Sequence, residues 1–178
     1  MTTSSLMKED LEIRHSLMEF QTLMLHGIKE GDIECAIDQT KLEHHFTPKH
    51  DTYGCHNYAR QIFMPKGIMV AGAIHKKAHL TFLMKGTMVI ISEDGGKQRL
   101  TAPQTFVSPA GIKRAFYIEE DTTLVCVHMT ANGTEEHMEE IEAEVLSPTY
   151  EAMGLAEPDL TSLNEFLTNS SNKNKRIE

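Results

Sequence analysis

Three histidines are the residues of this chain whose type and spacing could do metal chemistry. His75 and His79 stand four residues apart in the stretch GAIHKKAHLTFLMKG, residues 72–86. On a helix this spacing is that of the HExxH metalloprotease motif, but Lys76 stands where that motif needs its glutamate. The apolar flanks favour a strand instead, on which alternate residues point to the same side. We therefore expect His75 and His79 to share one face of a sheet.

A third histidine, His128, lies in the apolar run TTLVCVHMT, residues 122–130. A buried imidazole needs either a hydrogen-bond partner or a metal ion. Three inward-facing imidazoles would form a set of nitrogen ligands suited to Fe²⁺, Ni²⁺, Zn²⁺ or Cu²⁺, with positions left open for a substrate. The sequence thus predicts a divalent-metal site formed by His75, His79 and His128. The alternative is that each of them is an ordinary hydrogen-bonded histidine.

The stretch SPAGIKRAFY, residues 108–117, supplies two candidates for binding a substrate, Arg114 and Tyr117. A guanidinium that faces the same interior would bind a carboxylate or phosphate through two hydrogen bonds. Alternatively, Arg114 pairs with a surface acid such as Glu119 or Glu120. Tyr117 could donate a proton to a bound substrate, or it could form part of the wall.

Strands must position these side chains. From residue 58 to about residue 129, short runs rich in Val, Ile, Phe and Thr alternate with turn signals every 8–12 residues or so, which is typical of a β-sandwich or barrel. In TMVIISEDGGKQRL, Gly95 and Gly96 predict a hairpin with a tight turn. Of the histidines before this region (His44, His45, His50 and His56), His45 or His56 could supply a fourth ligand.

Helical patterns flank the predicted strands. Residues 6–26 carry apolar side chains at helical spacing and Gly27 is the expected end, whereas residues 134–146 repeat such a pattern before Pro148. The sequence therefore predicts three parts: an N-terminal helix and loop segment (1–57), a β-barrel (58–130), and a C-terminal helix with a polar tail (131–178).

Composition restricts the partners. The chain has 178 residues, 40% of them hydrophobic, and a formal charge of −9, which argues against nucleic-acid binding. No run approaches the roughly 18 apolar residues needed to span a bilayer, and the N-terminus lacks the pattern of a secretory signal. The cysteines Cys35, Cys55 and Cys126 are widely spaced and are expected to be free thiols. We therefore expect a cytoplasmic protein with neither nucleic acid nor a membrane as partner.

The interval between the two histidines also fits a known motif. Gly67, Ala73, His75, His79 and Gly86 are spaced as in the first motif of the cupin superfamily, which has glycine, two histidines, glutamate and glycine at these positions. Ala73 replaces the first histidine, and His79 replaces the glutamate. This stretch therefore resembles a cupin motif whose ligand positions are altered.

The second cupin motif is matched in the same way. Pro109 and Gly111 stand at its Pro-x-Gly positions, whereas Arg114 replaces its ligand histidine. Pro103 and Ile118 replace its leading glycine and trailing asparagine. The resemblance covers about residues 58–130. It implies a mainly β fold, a cupin-type double-stranded β-barrel (jelly roll), here with an N-terminal helix and a C-terminal helical extension.

The resemblance extends to small uncharacterised cupin-like proteins of tailed bacteriophages and bacteria, so a phage-encoded chain would be expected in the host cytoplasm. It places the strand of His128 next to the barrel mouth, which makes a relocated site of His75, His79 and His128 plausible. Such a site would bind a small, anionic substrate or ligand. We also expect a homodimer, with residues 6–26 as a candidate contact.

Three functions are compatible with these features. One is a metal-dependent enzyme of dioxygenase or isomerase type. The second is a metal-free barrel that binds a small anionic or nucleotide-like molecule through Arg114. The third is a structural module for oligomerisation, without catalysis. The fold alone does not decide among them, although the histidine at the acid position favours the metal.

Overall fold

The computed structural model describes residues 3–174, and the side chains of residues 11–169. The chain forms two compact units, one made of the segments up to Cys35 and from Glu157, the other made of Ala36–Ala156. The predicted divisions after residues 57 and 130 stay a prediction. Residues 41–46 form a strand that pairs with the strand that follows, and both strands belong to the second unit.

The first helix, α1, spans Thr3–Glu30 and is longer than predicted. Gly27 lies inside the helix, and its carbonyl accepts hydrogen bonds from the backbone N–H groups of Asp32 and Ile33 at 2.8 and 3.1 Å. Gly31 has a φ of +85°, in the left-handed region that favours glycine. The helix therefore ends at the second glycine, whose conformation allows the chain to turn away.

Eleven strands lie within the second unit among the described residues, most of them in two antiparallel sheets. A five-stranded sheet has the order β1-β2-β10-β5-β8, and a four-stranded sheet has the order β3-β9-β6-β7. The strands are β1 (Lys41–Phe46), β2 (His56–Met64), β3 (Met69–Ala71), β4 (Ile74–His75), β5 (His79–Lys85), β6 (Thr87–Ser92), β7 (Gly96–Thr101), β8 (Gln104–Ser108), β9 (Arg114–Ile118), β10 (Thr122–Thr130) and β11 (Leu146–Ser147).

The strands pair in a nested order. β2 pairs with β10, β3 with β9, β5 with β8 and β6 with β7, so the chain behaves as one long hairpin folded over on itself. Eight strands in two sheets, joined in this way, form a jelly roll. The prediction of a mainly β jelly roll with helices at either end of the chain is confirmed.

Both sheets contribute to one hydrophobic core. Met64, Leu83 and Leu124 of the five-stranded sheet pack against Met88 and Ile118 of the four-stranded sheet. Each of these side chains is at most 6% exposed. Most of these residues alternate with more exposed neighbours along their strands, as the period of two requires. Met64 and Leu124 of this core also line the cavity of the candidate site.

The hairpin of β6 and β7 confirms the predicted turn. Ser92 pairs with Gly96, so residues 93–95 connect the strands. Of the two glycines in this turn, only Gly96 takes a positive φ, of +61°.

The segment after β10 returns to the jelly roll. A short 3₁₀ turn, Glu135–His137, leads into α2, Met138–Val145, whose Ile141 and Val145 are buried. This agrees with the predicted helix over residues 134–146. β11 then pairs with β4, which places Leu146 opposite His75.

The last helix, α3, spans Thr161–Asn174, so the predicted polar tail is helical up to residue 174 and its last residues, 175–178, lie outside the described residues. Just before it, the backbone carbonyl of Asp159 accepts a hydrogen bond from His15 Nε2 of α1 at 3.1 Å. Within residues 3–174, none of the helices combines the length and the apolar character that crossing a bilayer requires.

Candidate metal centre

The jelly roll brings together the three histidines that the sequence singled out. His75 ends β4, His79 begins β5, and His128 lies near the end of β10. Their ring centroids are 4.2 Å apart for His75 and His79, 5.0 Å for His75 and His128, and 4.3 Å for His79 and His128. One ring nitrogen of each residue lies within 4.8 Å of the corresponding nitrogens of the other two. Two consecutive strands, β4 and β5, and the distant strand β10 therefore converge on one point.

The ring nitrogens of this cluster have few hydrogen-bond partners. His79 Nδ1 lies 3.2 Å from the backbone carbonyl of Lys77, to which it can donate, so Nε2 is left with a lone pair. His75 Nδ1 and both nitrogens of His128 are buried and have no hydrogen-bond partner among the described residues. An unpaired buried polar group costs about 1–3 kcal/mol. These lone pairs are the donors that a metal ion would use, and the cluster therefore fits one.

The cluster is electrically neutral at physiological pH. Burial, followed by the neighbouring imidazoles of His79 and His128 and by the charges of Arg60 and Arg114, lowers the pKa of His75 to about 3. Burial also lowers the pKa of His128 to about 4, again with help from His79 and Arg60. Burial lowers the pKa of His79 as well, against the opposing effect of its bond to Lys77. Neutral imidazole is the form that coordinates metals.

A cavity of about 280 Å³ adjoins the cluster. His75 and His79 line it, whereas His128 contacts both of them and is not a lining residue. Most of the other lining side chains are aliphatic or aromatic. They are Ile62, Met64, Val70, Ala71, Ala73, Phe106, Ile112, Phe116, Leu124 and Leu146.

Five polar or charged side chains also line this cavity. Thr81 Oγ1 and Ser108 Oγ are hydrogen-bonded at 2.8 Å, and Thr81 Oγ1 lies 3.9 Å from Cys126 Sγ. Burial raises the pKa of the Cys126 thiol, although the contact with Thr81 opposes this effect. The thiol is therefore protonated at neutral pH. The two remaining polar residues are Arg60 and Arg114.

Arg114 lines the cavity, and it also pairs with an acid that the sequence did not suggest. Its Nη2 lies 3.2 and 3.4 Å from the two carboxylate oxygens of Asp94. The acids that were considered as partners have other contacts, since Glu119 binds Arg99 at 2.6 Å and Glu120 accepts a hydrogen bond from Thr87 at 2.6 Å.

Tyr117 is not brought into the cavity, in contrast to the prediction that it binds substrate. It is 46% exposed and pairs with Met69 and Val89 on neighbouring strands. Arg114 and Phe116 of the same strand line the cavity. Because successive side chains of a strand point to opposite faces, Tyr117 must face away from it.

Arg60 is a lining residue that the sequence analysis missed. It lies on β2, and its Nη2 is 4.0 Å from Glu142 Oε1 of α2. The signal that could have found it is the alternation of the strand HNYARQIFM, in which Arg60 must face the same side as the apolar Ile62 and Met64.

Among the described residues, none of the four earlier histidines, His44, His45, His50 and His56, belongs to the cluster. His44 Nδ1 lies 2.7 Å from Tyr58 Oη, and His56 Nδ1 lies 2.9 Å from the Thr47 carbonyl. Neither His45 nor His56 therefore supplies a fourth ligand in this arrangement.

No protein-family model matches the chain, and no curated protein matches it. Among solved structures, a conserved protein of unknown function from Streptococcus pyogenes matches with a TM-score of 0.39 and 19% identity, over 58% of this chain and 84% of that protein. A cupin superfamily protein from Desulfitobacterium hafniense matches with a TM-score of 0.42 and 16% identity, over 56% of this chain and 85% of that protein.

A salicylate 1,2-dioxygenase from Pseudaminobacter salicylatoxidans matches with a TM-score of 0.44 and 13% identity. The match covers 70% of this chain and 34% of the dioxygenase, so the chain spans about a third of that enzyme. Cupins are among the proteins built on a jelly roll of eight strands. The nested strand pairing within residues 36–156 identifies the fold as a jelly roll, and these levels of similarity add nothing to that assignment.

Proposed function

We propose that His75, His79 and His128 bind one divalent transition-metal ion, and that the adjoining cavity binds a small anionic molecule. The observation that carries the proposal is the convergence of three imidazoles, of which His75 Nδ1 and both nitrogens of His128 are buried without a hydrogen-bond partner among the described residues. A structural role alone would leave these nitrogens unsatisfied at a cost of about 1–3 kcal/mol each.

Each histidine has a defined part in this proposal. The Lys77 carbonyl orients the ring of His79 so that Nε2 is the nitrogen that coordinates. His75 and His128 supply one nitrogen each. Imidazole donors suit Fe, Ni, Zn and Cu, in keeping with the predicted ligand type. When bound, such an ion supplies Lewis acidity at the positions that the protein leaves open.

The charges around the cluster favour an anionic ligand. Three neutral imidazoles leave both positive charges of a divalent ion uncompensated. Arg60 and Arg114 add positive charge to the same cavity, and of these two only Arg114 lies within hydrogen-bond distance of a carboxylate in the described part of the chain. An anion beside the histidines would offset this excess, because Coulomb interactions are strong in a partly buried site.

The test is metal content, measured by elemental analysis on protein purified without a histidine tag. We expect about one ion per chain after anaerobic addition of Fe²⁺ or Zn²⁺. His75→Ala, His79→Ala and His128→Ala each remove one of three ligands, and we expect each to weaken binding at least tenfold, the lower limit for losing even an outer partner of a metal ligand.

His137→Ala is the matched control, since His137 is exposed and bonds to Thr134 in the turn before α2. It should bind metal as the wild type does. Wild-type protein that takes up neither ion would contradict the proposal, as would equal losses in the control and in the three cluster variants.

The remaining functional predictions rest on the same site. A reaction of dioxygenase or isomerase type stays a hypothesis that requires the metal first. The cytoplasmic location and the homodimer also stay predictions, and light scattering coupled to size-exclusion chromatography tests the latter. The three cysteines are free thiols in the structure, which supports a reducing compartment.

A further inference from the structure

The two guanidinium groups of the cavity differ in what they contact. Arg114 has a carboxylate partner within 3.2 Å, Asp94, and its side chain is only 10% exposed. The acid nearest to Arg60 is Glu142, whose Oε1 lies 4.0 Å from Nη2, beyond hydrogen-bond distance. The Arg60 side chain is 28% exposed. The guanidinium of Arg114 is therefore hydrogen-bonded to a carboxylate, whereas that of Arg60 has only a looser ion pair, which leaves its N–H donors available to a ligand.

The strand register places Arg60 between the histidines and the apolar core. Successive inward-facing residues of a strand are about 7 Å apart, so each pair across β2 and β10 forms one layer of the interior. Arg60 lies one layer below His128, and the next layer is entirely apolar. From the histidines inward, these pairs are Tyr58 with His128, Arg60 with Cys126, and Ile62 with Leu124.

The other strands repeat this order. Thr81 of β5 pairs with Cys126 and so lies at the level of Arg60, with its hydroxyl bonded to Ser108. Val70 and Phe116 of the four-stranded sheet complete the apolar end of the cavity. One side of the cavity is therefore polar and cationic, and the opposite end offers no charged or hydrogen-bonding side chain among those that line it.

We infer that this cavity binds a compact monocarboxylate with an apolar body. Its carboxylate lies between the histidines and Arg60, and its body packs against Ile62, Leu124 and Val70. The inference rests on the proposed function, because it takes the cavity beside the histidines to be a ligand site. It assigns the anion to Arg60 instead of Arg114, and it names the chemical class of the ligand.

Charge and length both restrict the class. Below Arg60, one layer of about 7 Å leaves room for a ring or branched chain of about six carbons. A second carboxylate or a phosphate would lie on the apolar floor without a partner, which is costly. Diacids and nucleotides are therefore excluded.

The test compares an acid with its neutral amide. Binding of cyclohexanecarboxylate, hexanoate, cyclohexanecarboxamide and adipate is measured by calorimetry on the full chain, both metal-free and loaded with Zn²⁺. We expect the two monocarboxylates to bind. We expect the amide to bind about 10- to 100-fold more weakly, as the loss of a charged hydrogen bond requires. Adipate should also bind more weakly than hexanoate.

Arg60→Met should reduce the affinity for the acids by a similar factor. Arg99→Met is the matched control, because Arg99 is 63% exposed and pairs with Glu119 away from the cavity. It should leave the affinity unchanged. The inference is overturned if amide and acid bind wild-type protein equally, a comparison that needs no variant. It is also overturned if Arg60→Met binds as the wild type does, or if neither monocarboxylate binds in either form.

Metal content measured on the same samples separates this inference from the proposed function. Protein that binds the acids through Arg60 but takes up no metal would reject the metal site and keep the ligand class. Protein that takes up metal but binds neither acid would reject the ligand class alone.

Discussion

Two groups of polar side chains are buried in the same unit, and they differ in their hydrogen bonds. In the first group, Glu93 accepts hydrogen bonds from the Tyr150 hydroxyl and from the backbone N–H of Lys113, and Lys113 Nζ donates to the Gly72 carbonyl at 2.6 Å. Glu93, Lys113 and Tyr150 are each at most 4% exposed. In the second group, the histidine cluster, three ring nitrogens lack such partners.

This difference separates a structural group from a candidate binding site. The Glu93 group joins the turn after β6, the residue before β9 and the segment after β11, so its hydrogen bonds hold three distant parts of the chain together. The histidine cluster joins strands without hydrogen bonds among its own rings. We expect the first group to stabilise the fold as it stands, and the second to stabilise it only once a metal ion is bound.

The largest expected effect is that of pH on the metal-free protein. His75 and His128 have native pKa values of about 3 and 4, because burial disfavours their charged forms, whereas an unfolded histidine has a pKa of about 6.5. Between these values only the unfolded chain binds the protons. The free energy of unfolding is therefore highest above about pH 6.5 and falls with pH below it, by up to about 1.4 kcal/mol per pH unit for each histidine.

Urea denaturation of metal-free protein between pH 7 and pH 5 measures this slope. The control is His128→Phe, which removes one of the contributing histidines and should give a shallower slope. Equal slopes in the two proteins would show that His128 titrates normally, and would remove it from the buried cluster.

The next largest effect is expected from the hydrogen-bonded group. Glu93→Ala removes the acceptor shared by the Tyr150 hydroxyl and the Lys113 N–H. At about 1–3 kcal/mol for each lost partner, we expect the free energy of unfolding to fall by about 3 kcal/mol. Urea denaturation at pH 8 measures it, with the exposed Glu139→Ala as the control. Metal affinity should not change, and a large loss of affinity would show that the two groups are coupled.

Replacing a histidine of the cluster should have the opposite sign. His128→Phe exchanges two unpaired buried nitrogens for an apolar ring, so the metal-free protein should be equally stable or about 1 kcal/mol more stable at pH 8. The stabilisation that Zn²⁺ gives to the wild type should disappear. His44→Phe is the contrasting variant, since it removes a partner of Tyr58 and should destabilise. A clear loss of stability in His128→Phe would mean that His128 is a structural residue.

The same comparison shows what the sequence can predict. The strands and the histidines follow from local patterns, because a period of two assigns each side chain to a face. His75, His79 and the hairpin at Gly96 are therefore visible in short stretches. The same rule places Arg60 on the inward face of β2 with Ile62 and Met64, so the sequence contains a signal for this residue as well.

The Glu93 group could not be predicted in this way. Glu93 is 20 residues from Lys113 and 57 residues from Tyr150, so its burial depends on contacts that no local pattern records. In the sequence, Glu93 belongs to a polar turn, EDGGK, which is typical of an exposed loop. The end of α1 is a smaller case of the same kind, since both Gly27 and Gly31 are local stop signals and only the backbone conformation distinguishes them.

Replacing Tyr58 has the smallest expected effect, and it tests whether a hydrogen-bonded pair next to the histidine cluster is independent of that cluster. The Tyr58 ring is fully buried and lies 6.3 Å from the His128 ring, but its hydroxyl is satisfied by His44 Nδ1 at 2.7 Å. Burial raises the pKa of Tyr58 to about 12, so the hydroxyl keeps its proton. Tyr58→Phe keeps the ring and removes one hydrogen bond, and we expect a loss of about 1 kcal/mol in the free energy of unfolding.

Metal affinity of Tyr58→Phe should remain within about twofold of the wild type, because the hydroxyl points to His44 and not to the cluster, and a twofold change is only about 0.4 kcal/mol. Zinc titration with a competing chelator measures it, and His44→Phe should behave alike, since both variants break the same contact. A tenfold loss in both would place the His44–Tyr58 pair among the groups that orient His128, and the satisfied and unsatisfied groups would then form one site.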